Sequence, residues 1–190
     1  ASLCTYEPQF ASDVYAMYQS VLPGGHCVPE ELLWKNCPPE EKGNYEYLLD
    51  VIDWETNVDP SFSRHRFMRT QPIFSNAQAQ EEWICYRCDR VSAKRLTVAP
   101  GETVVVTDEA AYGMILVEGY GTLNDWPLET PTLIRYGQLT FDEYFVSADA
   151  AARGVTVTNH SATEPLVMLK HFAENPERDR WTAAHPEVFA

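Results

Sequence analysis

Tyr112-Gly113-Met114-Ile115-Leu116-Val117-Glu118-Gly119-Tyr120-Gly121-Thr122-Leu123 opens on a short apolar run and breaks at two glycines spaced one residue apart. A run of this length, rich in aliphatic side chains and bounded by glycine, reads as a strand, Tyr112–Val117, ending in a Gly119-Tyr120-Gly121 turn. The same grammar repeats on both sides. Trp83–Tyr86, Ala93–Val98, Thr103–Val106, Thr132–Arg135, Glu143–Val146, Val155–Thr158 and Leu166–Lys170 are further strand candidates, with Pro100-Gly101 a second clear turn. Many short strands separated by frequent turns argue for a sandwich or barrel.

The chain has 190 residues, 14 Lys plus Arg against 28 Asp plus Glu, and a formal net charge of -14. That length supports one sizeable core and is short for two ordinary domains. With 45% hydrophobic and 22% charged residues it has the profile of a folded protein, not of an acidic disordered tail. The negative balance argues against nucleic acid and anionic membranes as partners, because polyanions are repelled. No apolar run approaches the roughly 20 residues of a membrane helix. Ala1-Ser2-Leu3-Cys4-Thr5-Tyr6 carries neither an initiating Met nor a signal segment and reads as the middle of a β-rich protein, so a piece of something longer is expected. The odd count of five cysteines favours free thiols and a cytoplasmic location.

Four regions follow. Residues 1–27 hold an N-terminal segment in which Asp13–Gln19 reads as strand or as short helix. Residues 28–79 form a helical and irregular connector. Pro29-Glu30-Glu31 and Pro38-Pro39-Glu40-Glu41 both open helical turns, since proline suits a first helical position and acids suit the positive end of the helix dipole. Tyr45, Leu48, Leu49 and Ile52 then make an apolar helical stripe, with Glu46, Asp50, Asp53 and Glu55 on the watered face. Arg64-His65-Arg66 is the one basic concentration and is read as pairing with the acids upstream. Residues 80–173 are the barrel, and 174–190 a polar tail.

Several motifs carry less chemistry than they suggest. Cys85-Tyr86-Arg87-Cys88 is a C-x-x-C without a second pair to complete a zinc ribbon, and is read as buried free thiols. His160, His171 and His185 have no adjacent nucleophile. Asn159-His160-Ser161 matches the N-glycosylation sequon.

Taken in order, Pro100-Gly101, then Ile115–Leu123, resembles the first characteristic motif of the cupin superfamily. Ile134-Arg135-Tyr136-Gly137-Gln138 resembles the strand and glycine turn opening the second motif. Val155–Asn159 with Glu164-Pro165-Leu166-Val167 resembles that motif's end. The resemblance covers residues 93–173 and implies an all-β fold, a double-stranded β-helix or jelly-roll barrel, preceded by the short helical segment. Leu3–Leu22 is similar to the last strands of a preceding cupin, which implies the C-terminal half of a bicupin.

In cupin enzymes two histidines and a glutamate of the first motif, with a histidine of the second, bind a divalent metal. Counting from Gly101 and Gly121 puts the first three slots at Thr107, Glu109 and Met114, and four residues before Asn159 the fourth falls at Val155. None holds its expected ligand, so no metal, cofactor or catalytic residue is assigned. The barrel interior is instead the expected place for a small polar or carbohydrate-like ligand, with Thr107, Glu109, Tyr112, Met114, Arg135, Tyr144 and Arg153 as candidate contacts. The leading reading is the metal-free partner half of a bicupin, pairing with a second cupin barrel or as a homo-oligomer. A metal-dependent cupin enzyme with unconventional ligands, of sugar isomerase or dioxygenase type, and a bare dimerisation module are the alternatives.

Overall fold

Along Leu166–Phe172 every second side chain is buried: Leu166, Met168, Lys170 and Phe172 face inward and the residues between them do not. This two-residue period is that of a strand with one face on a core. The computed structural model describes residues 6–8 and 20–189 and divides into two units, residues 11–67 and residues 1–10 with 68–190. The readings at Asp13–Gln19 and over most of Leu3–Leu22 fall outside the described residues.

Among the described residues the larger unit has ten strands: β1 (Gln71–Ser75), β2 (Ala79–Cys85), β3 (Ser92–Val98), β4 (Thr103–Val106), β5 (Tyr112–Glu118), β6 (Tyr120–Leu123), β7 (Trp126–Glu129), β8 (Glu143–Val146), β9 (Val155–Asn159) and β10 (Leu166–Phe172). They form a six-stranded sheet ordered β1-β2-β3-β10-β5-β8 and a four-stranded sheet ordered β4-β9-β6-β7, with every pairing antiparallel. From β3 onward, successive strands alternate between the two sheets except at the β6–β7 hairpin, and the last two return beside the first two. That is the double Greek key of a jelly roll. The β1–β2 hairpin widens one sheet at its edge. The inner faces meet in a core that includes Leu96, Val98, Leu116, Leu123, Val157, Leu166 and Met168.

Several elements differ from the sequence expectation. Thr132–Arg135 is not a strand: β7 and β8 belong to different sheets, so residues 130–142 must cross between sheets and lie along neither ladder. The Gly119-Tyr120-Gly121 turn is made at Gly119 alone, at φ 91°, and Tyr120 already begins β6. The connector upstream of residue 80 contains β1. The segment read as a polar tail carries a nine-residue helix, Pro176–Ala184. A further helix, Ala148–Arg153, is capped by the Ser147 side chain and stopped by Gly154.

Among the described residues the smaller unit has four short α-helices, α1 (Glu30–Leu33), α2 (Tyr45–Asp50), α3 (Trp54–Asn57) and α4 (Phe62–Arg66), and a small core of Leu33, Trp34 and Leu48. The helices of the larger unit then continue the numbering, Ala148–Arg153 as α5 and Pro176–Ala184 as α6. The expected stripe on α2 is only partly used: Leu48 is buried, Tyr45 meets Trp34 edge-on at 5.2 Å, and Leu49 stays exposed. The acids serve local structure. Asp53 caps α3 by accepting from the Thr56 N–H, and Asp59 pairs with His65 at 2.7 Å. No helix among the described residues is long and apolar enough to cross a membrane.

Gly121 shows how closely the second sheet is assembled. A Cβ at this position would stand 1.9 Å from the Thr158 carbonyl oxygen on β9. Gly121→Ala is therefore expected to lower stability by about 1–3 kcal/mol or more, as over-packing does. An unchanged urea midpoint would show that β6 and β9 are not this close.

Candidate functional site

Strand phase decides which charged residues enter the barrel. On β3, Lys94 shares the inward phase of Leu96 and Val98, and on β10 Lys170 shares that of Met168 and Phe172. On β2, Glu81 lies between the inward Ala79 and Trp83. Asp108 follows the end of β4 in phase with Val106, and its N–H donates to the Ala151 carbonyl at 3.1 Å. All four charged side chains are buried, both lysines completely.

Lys94 and Lys170 are direct partners across the β3–β10 ladder. Like charges so placed repel. Asp108 resolves the conflict with one oxygen for each: Oδ1 accepts from Lys94 Nζ at 2.8 Å and Oδ2 from Lys170 Nζ at 2.7 Å. Glu81 Oε1 pairs with Lys170, and its Oε2 lies 3.8 Å from Lys94. Aromatic faces close the sides, with Lys94 Nζ 4.8 Å from the Trp83 ring centroid and Lys170 Nζ 5.1 Å from that of Tyr112. A fifth charge arrives from α6, whose Glu177 carboxylate also pairs with Lys94.

The electrostatics follow from this packing. Burial works against the charge on Lys170, yet the Glu81 and Asp108 carboxylates outweigh it and raise the ammonium pKa above the ordinary lysine value. The Tyr112 hydroxyl is pushed up by burial and then by Asp108 and Glu81. It stays a neutral phenol wherever the cluster is intact.

The residues expected to line a cavity are dispersed. Met114 and Tyr112 are buried in the core beside the cluster. Thr107 and Glu109, expected to point inward, are exposed; the strand phase of β4 carries Asp108 inward instead. Glu109 pairs with Arg180 of α6, whose hydrogen bond holds the carboxyl below the usual range. Arg135 lies exposed on the crossing segment, in a groove with Leu133 and Phe141. Tyr144 sits on β8 in a separate groove with Glu143 and His171, and its hydroxyl donates to the Pro127 carbonyl at 2.6 Å. Arg153 is exposed at the end of α5. No one cavity gathers these residues.

The metal implied by the resemblance does not fit the donors present. The Met114 and Val155 slots hold apolar core side chains, Thr107 and Glu109 face solvent, and both oxygens of Asp108 are already taken by ammonium groups. Among the described residues, no group of three His, Cys, Asp or Glu side chains is placed to hold a metal. Cys85 and Cys88 are half-buried free thiols, the Cys85 thiol pushed up by burial and then by Cys88. The sequon asparagine is spent inside the fold: Asn159 Nδ2 lies within hydrogen-bond distance of the Val98, Ala99 and Glu164 carbonyls, and Oδ1 accepts from the Ser161 N–H.

No protein-family model matches this chain, and no curated protein is found similar to it. Solved structures are similar to it. An RmlC-like cupin protein from Ralstonia eutropha matches at 10% identity and a TM-score of 0.39, over 56% of this chain and 63% of that one. Vicilin from hazelnut, Corylus avellana, matches at 12% identity and 0.39, over 55% and 31%. A cupin 2 domain-containing protein from Halorhodospira halophila matches at 17% and 0.36, over 60% and 83%. The chain thus spans less than two thirds of the length of the first two. At these TM-scores the jelly-roll assignment rests on the strand order itself.

Neighbouring acids on one loop are predicted to behave oppositely. Asp108→Asn takes from the facing lysines the carboxylate that hydrogen-bonds to both and is expected to cost about 3–5 kcal/mol, the range for breaking a buried ion pair. Glu109→Gln, at the surface, is expected to leave the urea midpoint close to that of the unaltered chain. Equal urea midpoints for the two variants would refute the inward placement of Asp108.

Proposed function

We propose that this chain is a metal-independent cupin-type barrel whose role is structural, as the partner of another barrel. One observation carries the reading. Lys94 and Lys170 fix two positive charges inside the barrel, each within 2.8 Å of an Asp108 oxygen. A divalent cation brought to that carboxylate meets two ammonium groups at contact distance, a repulsion that low-dielectric surroundings strengthen. The lysine pair provides the charge that a dication supplies in a metal-binding barrel, and it cannot be exchanged for one. The expected result is less than one tenth of a transition metal per chain after growth in metal-supplemented medium, with a melting midpoint unmoved by EDTA. One metal per chain whose removal lowers the midpoint would return the metal-enzyme reading, since a ligand of the native state must stabilise it.

A second reading concerns the partner. On the segment crossing between the sheets, Leu133, Ile134, Tyr136 and Leu139 are exposed, Ile134 by 82%. Contiguous apolar exposure of this kind marks association surfaces. Arg135 is the one cation of the segment, and Glu129, Asp142 and Glu143 flank it. Self-pairing about a two-fold axis, with that arginine set against these acids, is the arrangement we favour. Sedimentation velocity should then show a dimer at micromolar concentration that Ile134→Asp converts to monomer. A wild-type chain that sediments as monomer throughout removes this partner.

A further inference from the structure

We infer that α6 is a displaceable lid, and that Glu177 occupies the place of the carboxylate of a small organic acid that Lys94 binds when the helix lifts. The inference adds a ligand to the barrel proposed above and does not depend on whether a metal is bound or a second copy pairs.

The charge count singles out Glu177. Lys94, Lys170, Glu81 and Asp108 already balance, two positive against two negative, and all four belong to the barrel strands or the loop after β4. Glu177 is a surplus anion, and it comes from a helix laid over the barrel after the last strand. Its side chain is 28% exposed whereas Lys94 is fully buried, so Glu177 is the one member of the cluster in touch with water. With Glu177 withdrawn, Lys94 keeps Asp108 at 2.8 Å and holds a donor facing the vacated place. A carboxylate entering there restores the same charge that left.

The attachment of α6 suits a lid. None of its residues is buried. Beyond Glu177 it is tied by the Arg180–Glu109 pair, both side chains more than half exposed, by Trp181, edge-on to Tyr86 at 5.2 Å and tilted against Trp83 at 6.2 Å, and by Asn175 Nδ2 at 3.4 Å from Ser92 Oγ. Exposed ion pairs contribute little, and elements held by few buried contacts open at free energies well below that of global unfolding. The walls of the uncovered place define the ligand. Trp83 and Phe172 flank Lys94 Nζ, with ring centroids at 4.8 and 5.5 Å. One carboxylate on a flat apolar body fits this setting: the anion for Lys94, the body against the rings. Tethered Glu177 competes at an effective concentration on the order of millimolar, so the closed chain binds such an acid weakly.

Benzoate is the probe. Isothermal titration in buffer of constant ionic strength is expected to give at least tenfold tighter binding to Glu177→Ala than to the wild-type chain, with Arg180→Ala, which removes the surface pair of the helix with Glu109, in between. In the wild-type chain, saturating benzoate should speed amide exchange across 176–184 and leave β3 and β10 protected. Equal affinity in all three proteins, or no binding to any, overturns the inference. So does exchange in 176–184 that benzoate leaves unchanged, a measurement that stands even where Glu177→Ala fails to fold.

Discussion

Lys94 and Lys170 enter the barrel interior only because Glu81 and Asp108 enter with them. Burying an unpaired ammonium is prohibitive, and burying two opposite each other on adjacent strands is worse. Asp108, with one oxygen for each lysine, turns that repulsion into a three-point clamp joining β3, β10 and the loop between β4 and β5. Glu81 brings in β2. Apolar residues of similar volume would hold these strands at least as strongly. The cluster supplies something else: a one-residue slip of β3 or β10 would turn a lysine outward and strand its carboxylate, so only one register satisfies all four charges.

Much of this was readable in the alternation of the strands. Lys94 keeps step with Leu96 and Val98, Lys170 with Leu166, Met168 and Phe172, and Glu81 with Ala79 and Trp83, each phase visible without a structure. A lysine at an inward step of two neighbouring strands is a signal that ligand-motif counting passes over. The count instead placed Thr107 and Glu109 inside. It failed because Thr103-Val104-Val105-Val106 is apolar at three successive positions, so β4 gives no alternation to fix the phase of the loop after it.

Other features had no local signal. Glu177-Arg178-Asp179-Arg180 carries no apolar stripe, because α6 meets the barrel through ion pairs and one tryptophan. Gly121 resembles a turn glycine in sequence, yet its absent side chain answers to a carbonyl on β9, a residue distant in the chain. Thr132–Arg135, within the crossing segment, looked like a strand because Leu133 and Ile134 follow a β-branched residue in a short apolar run. The apolar side chains of the crossing segment face outward because the two strands it joins lie in opposite sheets.

The strand order also sets the timing of assembly. β3 is joined to β5 only through β10, and β4 to β6 only through β9, so neither sheet is complete until the last strands of the barrel are synthesised. Contacts this distant along the chain make for slow folding, since loop closure must precede the gain. Until β10 docks, Lys94 and Asp108 have no reason to leave water. The four charges then desolvate in one event. A nascent barrel of this kind stays open, hydrated and acidic until nearly all of it exists, and it closes once.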